Sequence, residues 1–315
     1  MKIAFQLMIT ILLCASSFGQ VPITDAEITK LSKHPINKIQ ANDLEYYYIE
    51  KGEGETIFFL HGFPDLASTW DIAIDEFSKN YRCIAPFLRG YYPTAIPTDG
   101  DYSIKTIAQD IDAIAQKLGI EEYIVVGQDW GASVTYSLAN LYPEKVQKIV
   151  TVAIPHYSFI KANFRTLYKA RHFVRFRSPK SALDYTRKKN FAYIDKLYQR
   201  WSPNWKDYSE ASDLIKSTFQ KEGRLEASLG YYWSFFGARK DKELAAFNAK
   251  IPTMPHLAMA GKKDGSLVVK AFYKMEAALK PNTKLLVHET AGHFLHREEP
   301  AYFIQSVSDF LKAVD

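Results

Sequence analysis

The tightest constraint in this sequence is a five-residue stretch, Gly127-Gln128-Asp129-Trp130-Gly131, joining an apolar run to a helical pattern. Residues 122–127 contain Tyr-Ile-Val-Val-Gly, the unbroken apolar signature of a strand buried on both faces. Residues 133–141 then carry helical periodicity. The two glycines mark a tight turn in which backbones approach closely. A strand covered on both faces needs helices on both sides of its sheet, so this stretch alone points to a layered α/β fold.

The rest of the chain agrees. Strand signals recur at 46–49, Thr56–Leu60, 81–86, Val146–Val152, 255–260 and Thr283–His288, with a helical pattern at 104–118. Alternating strands and helices predict a mainly parallel sheet flanked by helices. Residues 155–250 break that rhythm. They are aromatic-rich and helix-like at 185–198 and 210–229, and read as a helical cap inserted into a core built from 20–154 and 251–315. With 315 residues, 47% of them hydrophobic, the chain can bury a sizeable core.

Lys2, the apolar run 3–14 and the small residues 15–19 read as a signal peptide over 1–19, and hence as export to the periplasm or medium. The run is short for a membrane span. Leu13 precedes Cys14 where a lipid-anchored chain needs a small residue, so no stable membrane anchor is expected. Cys83 would then be the only cysteine, a small buried hydrophobe on a strand rather than half of a disulfide. The net charge of +5 is scattered, apart from a denser stretch between Lys161 and Arg200. That stretch reads as a solvated basic face, without the motif of a nucleic-acid binder. Nothing in the sequence excludes self-association.

Asp129 stands at the centre of the turn, where a strand–turn–helix elbow carries its nucleophile. A serine there would attack carbonyl carbon, but on saturated carbon it would leave an inert ether. A carboxylate is ionised at neutral pH and forms an ester on saturated carbon, which water can cleave. The reading therefore favours substrates with an electrophilic tetrahedral carbon, epoxides or alkyl halides. The competing reading is an aspartate helix cap.

Other loops supply helpers. His61-Gly62-Phe63-Pro64 follows the strand Thr56–Leu60. The N–H groups of Phe63 and Trp130 are the expected oxyanion hole, and His61 and Pro64 shape the pocket. His293, in Ala291-Gly292-His293-Phe294 after the last strand, is the candidate base for water. Asp264, in Gly261-Lys262-Lys263-Asp264-Gly265, would orient it. No ligand-spaced Cys/His cluster exists, so no metal or organic cofactor is implied.

These segments, with Leu88-Arg89-Gly90-Tyr91, resemble the α/β-hydrolase-fold epoxide hydrolases from about Ile39 to the C-terminus. One departure is Tyr92-Pro93, where family members usually have glycine and a small residue. The resemblance implies two cap side chains that hydrogen-bond the epoxide oxygen. In Leu229-Gly230-Tyr231-Tyr232-Trp233 the better match is Tyr232, with Tyr231 as a pocket residue. Aligning on Phe176-Arg177-Ser178-Pro179 gives His172 as the other. A His/Tyr pair is similar to the secreted channel-inhibitory-factor (Cif) subgroup. That subgroup takes its orienting acid from the position that is Ala153 here, whereas Asp264 holds the usual family position. The implied reaction opens a small hydrophobic epoxide with water to a diol. A haloalkane dehalogenase would share Asp129 and His293, with the Trp130 indole holding halide, but usually has Asn in place of Phe63. Fluoroacetate dehalogenases place an arginine after the nucleophile, which Trp130 does not supply. A hydrolase-fold binding protein with little turnover is the remaining alternative.

Overall fold

The computed structural model describes residues 23–238 and 240–313. The expected signal peptide, with Cys14, lies outside the described residues. Eight strands form one sheet: β1 (Ile36–Ala41), β2 (Leu44–Lys51), β3 (Thr56–Leu60), β4 (Arg82–Pro86), β5 (Tyr123–Gln128), β6 (Val146–Val152), β7 (His256–Gly261) and β8 (Thr283–His288). Their spatial order is β1-β2-β4-β3-β5-β6-β7-β8. From β4 across to β8 neighbours run parallel, while β2 is antiparallel to both β1 and β4.

Burial follows chemistry. Every residue of β3, β5 and β7 is buried, so the apolar runs at the centre must be covered on both faces. The helix Ile104–Lys117 shows how the cover is made. Ser103 caps it by accepting the Thr106 N–H at 3.2 Å. Ile107, Ile111 and Ile114 then recur on one side and are fully buried, each contributing roughly 1.5–3 kcal/mol.

β1 lies outside the sequence expectation for a physical reason. It is an edge strand with only Ala41 buried, and Lys38 and its polar neighbours hide the apolar alternation while blunting the edge. Between β6 and β7 lie helices from Phe164 to Asn248, hereafter the cap. The helical pattern at 210–229 is in fact two helices, Ser209–Phe219 and Arg224–Ala238, separated at Gly223, whose φ is +73°. The helix Pro179–Trp201 is interrupted by non-helical geometry at 188–191, where Lys189, Asn190 and Phe191 all take positive φ.

Cap and core are joined by hydrogen bonds. Buried Arg224 donates to the carbonyls of Gly90 (3.2 Å) and Thr94, spanning the loop that contains Tyr92-Pro93. Arg89 of that loop is anchored by a two-pronged bond to buried Asp110, at 2.6 and 3.0 Å. The Tyr198 hydroxyl donates to Pro64 O at 2.6 Å.

Candidate active site

β5 delivers Asp129 into a sharp bend. Its φ of +53° and ψ of −119° are strained for a residue with a side chain. The flanking glycines make the bend feasible. A Cβ on Gly127 would collide with the Gly131 carbonyl, and one on Gly131 with the Leu60 backbone. The strain aims the carboxylate out of the sheet, where Oδ1 accepts the Phe63 N–H at 2.9 Å. Gly62 is required beside it, since a Cβ there would lie 2.7 Å from Asp129 Oδ1.

Loops from β7 and β8 meet this carboxylate. His293 Nε2 stands 3.2 Å from Asp129 Oδ2, and its Nδ1 stands 2.9 Å from Asp264 Oδ2. The first contact is a charge pair without the direction of a proper hydrogen bond, because Nε2 has no hydrogen-bond partner of good geometry. Burial pushes the imidazole toward neutrality. The Asp264 and Asp129 carboxylates outweigh that and raise His293 to about 10. Burial likewise opposes the Asp264 charge, yet His293 and Ser266 hold that carboxyl below its ordinary range.

Ser266, Ser202 and Glu298 complete the support, and sequence reasoning missed all three. Ser266 donates its N–H (2.6 Å) and its hydroxyl (2.7 Å) to Asp264 Oδ1, and its Oγ also lies 2.9 Å from His293 Nδ1. Ser202 Oγ, from the cap, accepts the N–H groups of His293 (2.9 Å) and Phe294 (3.1 Å) and donates to Glu298 at 2.5 Å. Glu298 accepts the Gly292 N–H at 2.9 and 3.0 Å. Asp264-Gly265-Ser266 is legible as an Asx-type turn, but nothing local in the sequence joins Ser202 to His293.

Trp130 is the first residue of the helix Trp130–Leu141, so its N–H has no partner within that helix. Its indole Nε1 is buried without a partner among the described residues. A cavity of about 70 Å³ opens over Asp129, lined among others by Trp130, His172, Phe173, Tyr232, Phe235 and Ser266. That size admits only a small ligand unless the cap moves. Tyr232 is enclosed by Phe63, Trp130, Phe173 and Phe176, at ring separations of 4.9 to 5.4 Å. Burial, followed by the Asp129 charge, raises the Tyr232 phenol well above its ordinary value, so it keeps its proton. Burial, followed by the Arg200 charge, holds His172 well below the ordinary imidazole range, so it is neutral. Its Nδ1 has no partner among the described residues. The two rings are 5.9 Å apart.

Three expected pocket residues are corrected. Tyr231 is turned from the cavity and donates to Arg89 O at 2.9 Å. His61 accepts the Leu88 N–H at Nε2, 3.1 Å, and burial pushes it down to about 4. Pro64 supplies only the carbonyl that Tyr198 holds. Each supports the cavity from behind without lining it. Among the described residues, no group of three His, Cys, Asp or Glu side chains could hold a metal ion.

A family model described as alpha/beta hydrolase fold matches residues 55–300. The chain is 27% identical to epoxide hydrolase 1 of Caenorhabditis elegans, covering 87% of this chain and 69% of that one. It is 25% identical to human epoxide hydrolase 4, covering 90% and 80%. It superimposes on the crystal structure of a Bacillus megaterium epoxide hydrolase with an inhibitor at a TM-score of 0.75, with 25% identity, covering 88% of this chain and 100% of that one.

Proposed function

We propose a reaction for a chain that belongs to the alpha/beta hydrolase fold family: this hydrolase opens an epoxide to a vicinal diol through a covalent ester on Asp129. The observation that carries the reading is the position of one carboxylate. It is held at Oδ1 by a backbone N–H, approached at Oδ2 by a buried imidazole, and exposed to a cavity roofed by a phenol and a neutral imidazole. The relatives named epoxide hydrolases support the substrate class.

In the first step Asp129 Oδ2 bonds to an epoxide carbon. The ring C–O bond breaks, and its electron pair goes to the oxygen, which takes a proton from Tyr232 while His172 holds it. Esterification cancels the Asp129 charge and removes one of the two carboxylates that keep His293 protonated. The imidazole then gives up its proton, which restores the Tyr232 phenol, and becomes a base toward water. Water adds to the ester carbon. The oxyanion develops on the former Oδ1, at the Phe63 and Trp130 N–H groups. His293 takes a proton from that water, collapse breaks the ester C–O bond, the departing glycol oxygen takes that proton to give the diol, and the water oxygen stays in the aspartate.

A single turnover in heavy-oxygen water, followed by mass spectrometry of the peptide containing Asp129, tests this reading. Label in that carboxylate is the expected result, and a carboxylate without label rejects the ester. The unpartnered indole of Trp130 supports a second reading, displacement of halide from an alkyl halide, which halide release measured beside diol formation would separate. Export remains part of the proposal, resting on residues 1–19, and sequencing the N-terminus of the secreted protein checks it.

A further inference from the structure

The cap carries an exposed surface that the chemistry at Asp129 does not use. Six large hydrophobic side chains are exposed among the described residues. Four of them, Phe164 (86%), Leu167 (57%), Tyr168 (60%) and Val174 (69%), fall within eleven consecutive positions. A soluble chain has no reason to cluster its most exposed apolar groups unless they meet something. Phe164, Leu167 and Tyr168 share one face of the helix Phe164–Lys169 by their spacing of three and four. Arg171 stacks on Tyr168 at 4.4 Å and begins the next helix, Arg171–Phe176, where Val174 and Arg175 are exposed.

Charge identifies the occupant. Lys161, Arg165, Arg171, Arg175 and Arg177 interleave with these apolar groups, while Lys169 turns inward to the Asp264 carbonyl, and residues 161–179 contain no Asp or Glu. Among the described residues none of the four arginines lies within ion-pairing distance of a carboxylate, unlike Arg187, which pairs with Glu226. Interleaved aromatic, aliphatic and basic side chains match an anionic phospholipid surface, with apolar groups entering the acyl boundary and cations meeting phosphate. The patch also borders the catalytic cavity. Ile160 just before it and Phe173 within it are half-buried lining residues.

We infer that this face of the cap docks reversibly on anionic phospholipid bilayers, with the cavity beside the lipid from which an apolar substrate partitions. This is peripheral docking and needs no spanning helix. It does not depend on which electrophile Asp129 attacks. The test is co-sedimentation of the full chain with vesicles of phosphatidylcholine alone, or of phosphatidylcholine and phosphatidylserine at about two to one. Binding to the anionic vesicles is expected to be at least about tenfold tighter and to fall with added salt. Phe164→Ser/Leu167→Ser and, separately, Arg165→Glu/Arg177→Glu should each weaken it about tenfold, while turnover of a water-soluble substrate is retained as the check on folding. Equal binding by wild type and both variants overturns the proposal, as does equal affinity for the two vesicle types. Self-association lost in the apolar variant, without vesicle binding by the wild type, also overturns it and assigns the face to a second copy of the chain.

Discussion

The floor and the roof of the cavity are built on different principles. On the floor, Asp129, His293 and Asp264 are fixed by directed bonds: Asp264 Oδ1 accepts three donors, from Ser266 and Leu267, and the histidine loop is stapled by Ser202 and Glu298. On the roof, Tyr232 and His172 are held by edge-to-face and tilted aromatic contacts, which orient rings more loosely than hydrogen bonds fix polar atoms, and the His172 Nδ1 has no partner among the described residues. Under the proposed reaction the difference separates two tasks. Charge transfer between ionised groups tolerates little misplacement. Substrate reception needs polar atoms left free for a visitor and walls that can yield.

The comparison can be broken at its strongest point first. Asp129→Asn keeps the side-chain shape and tolerates the positive φ, but cannot form the ester. Turnover should fall by at least about 10⁴-fold, and a steady-state assay giving substantial residual activity would contradict the proposed nucleophile. His293→Gln should let the ester form and then stall, lowering turnover by about 10³-fold. Intact-protein mass spectrometry should show the added mass of the substrate. On the roof the effect should be smaller and confined to the first step. Tyr232→Phe should slow ester formation by about 10²-fold and leave ester breakdown unchanged in rapid-quench measurements.

The smallest effect is one of stability. His293 titrates near 10 in the folded chain against an unfolded value of about 6.5. The folded state therefore binds the proton more tightly. The resulting stabilisation is fully present below about pH 6.5 and is lost as pH rises toward 10. Thermal melts should show Tm declining across that window. Asp129→Asn should flatten the decline, since one of the two carboxylates that raise His293 is gone.

The same contrast explains what was legible in the sequence. The floor was readable because backbone geometry leaves residue-level marks. The bend at Asp129 admits only glycine at positions 127 and 131, and strand ends are punctuated by turn residues. The second layer was not readable, because Ser202 reaches the His293 N–H only through the fold, and Glu298, though near in the chain, bonds backbone N–H groups of Gly292 and Phe294 that no side-chain pattern marks. Roof residues are ambiguous for another reason. Neighbours on a helix point about 100° apart, so Tyr232 lines the cavity while Tyr231 faces the Arg89 carbonyl. The positive φ at Lys189 and Phe191 was equally hidden, since only Asn190 among the three is a residue that favours it.

The absent side chain at Gly62 has a practical consequence. The space it leaves is the space that the Asp129 carboxylate fills, so the two positions share a single volume. A mutagenesis library that varies them one at a time will record position 62 as intolerant and position 129 as irreplaceable. A lengthened carboxylate would project into the cavity and lose the Phe63 N–H that holds Oδ1 while the loop stays where it is. Redesign of this centre has to treat loop and carboxylate as one part, exchanged together.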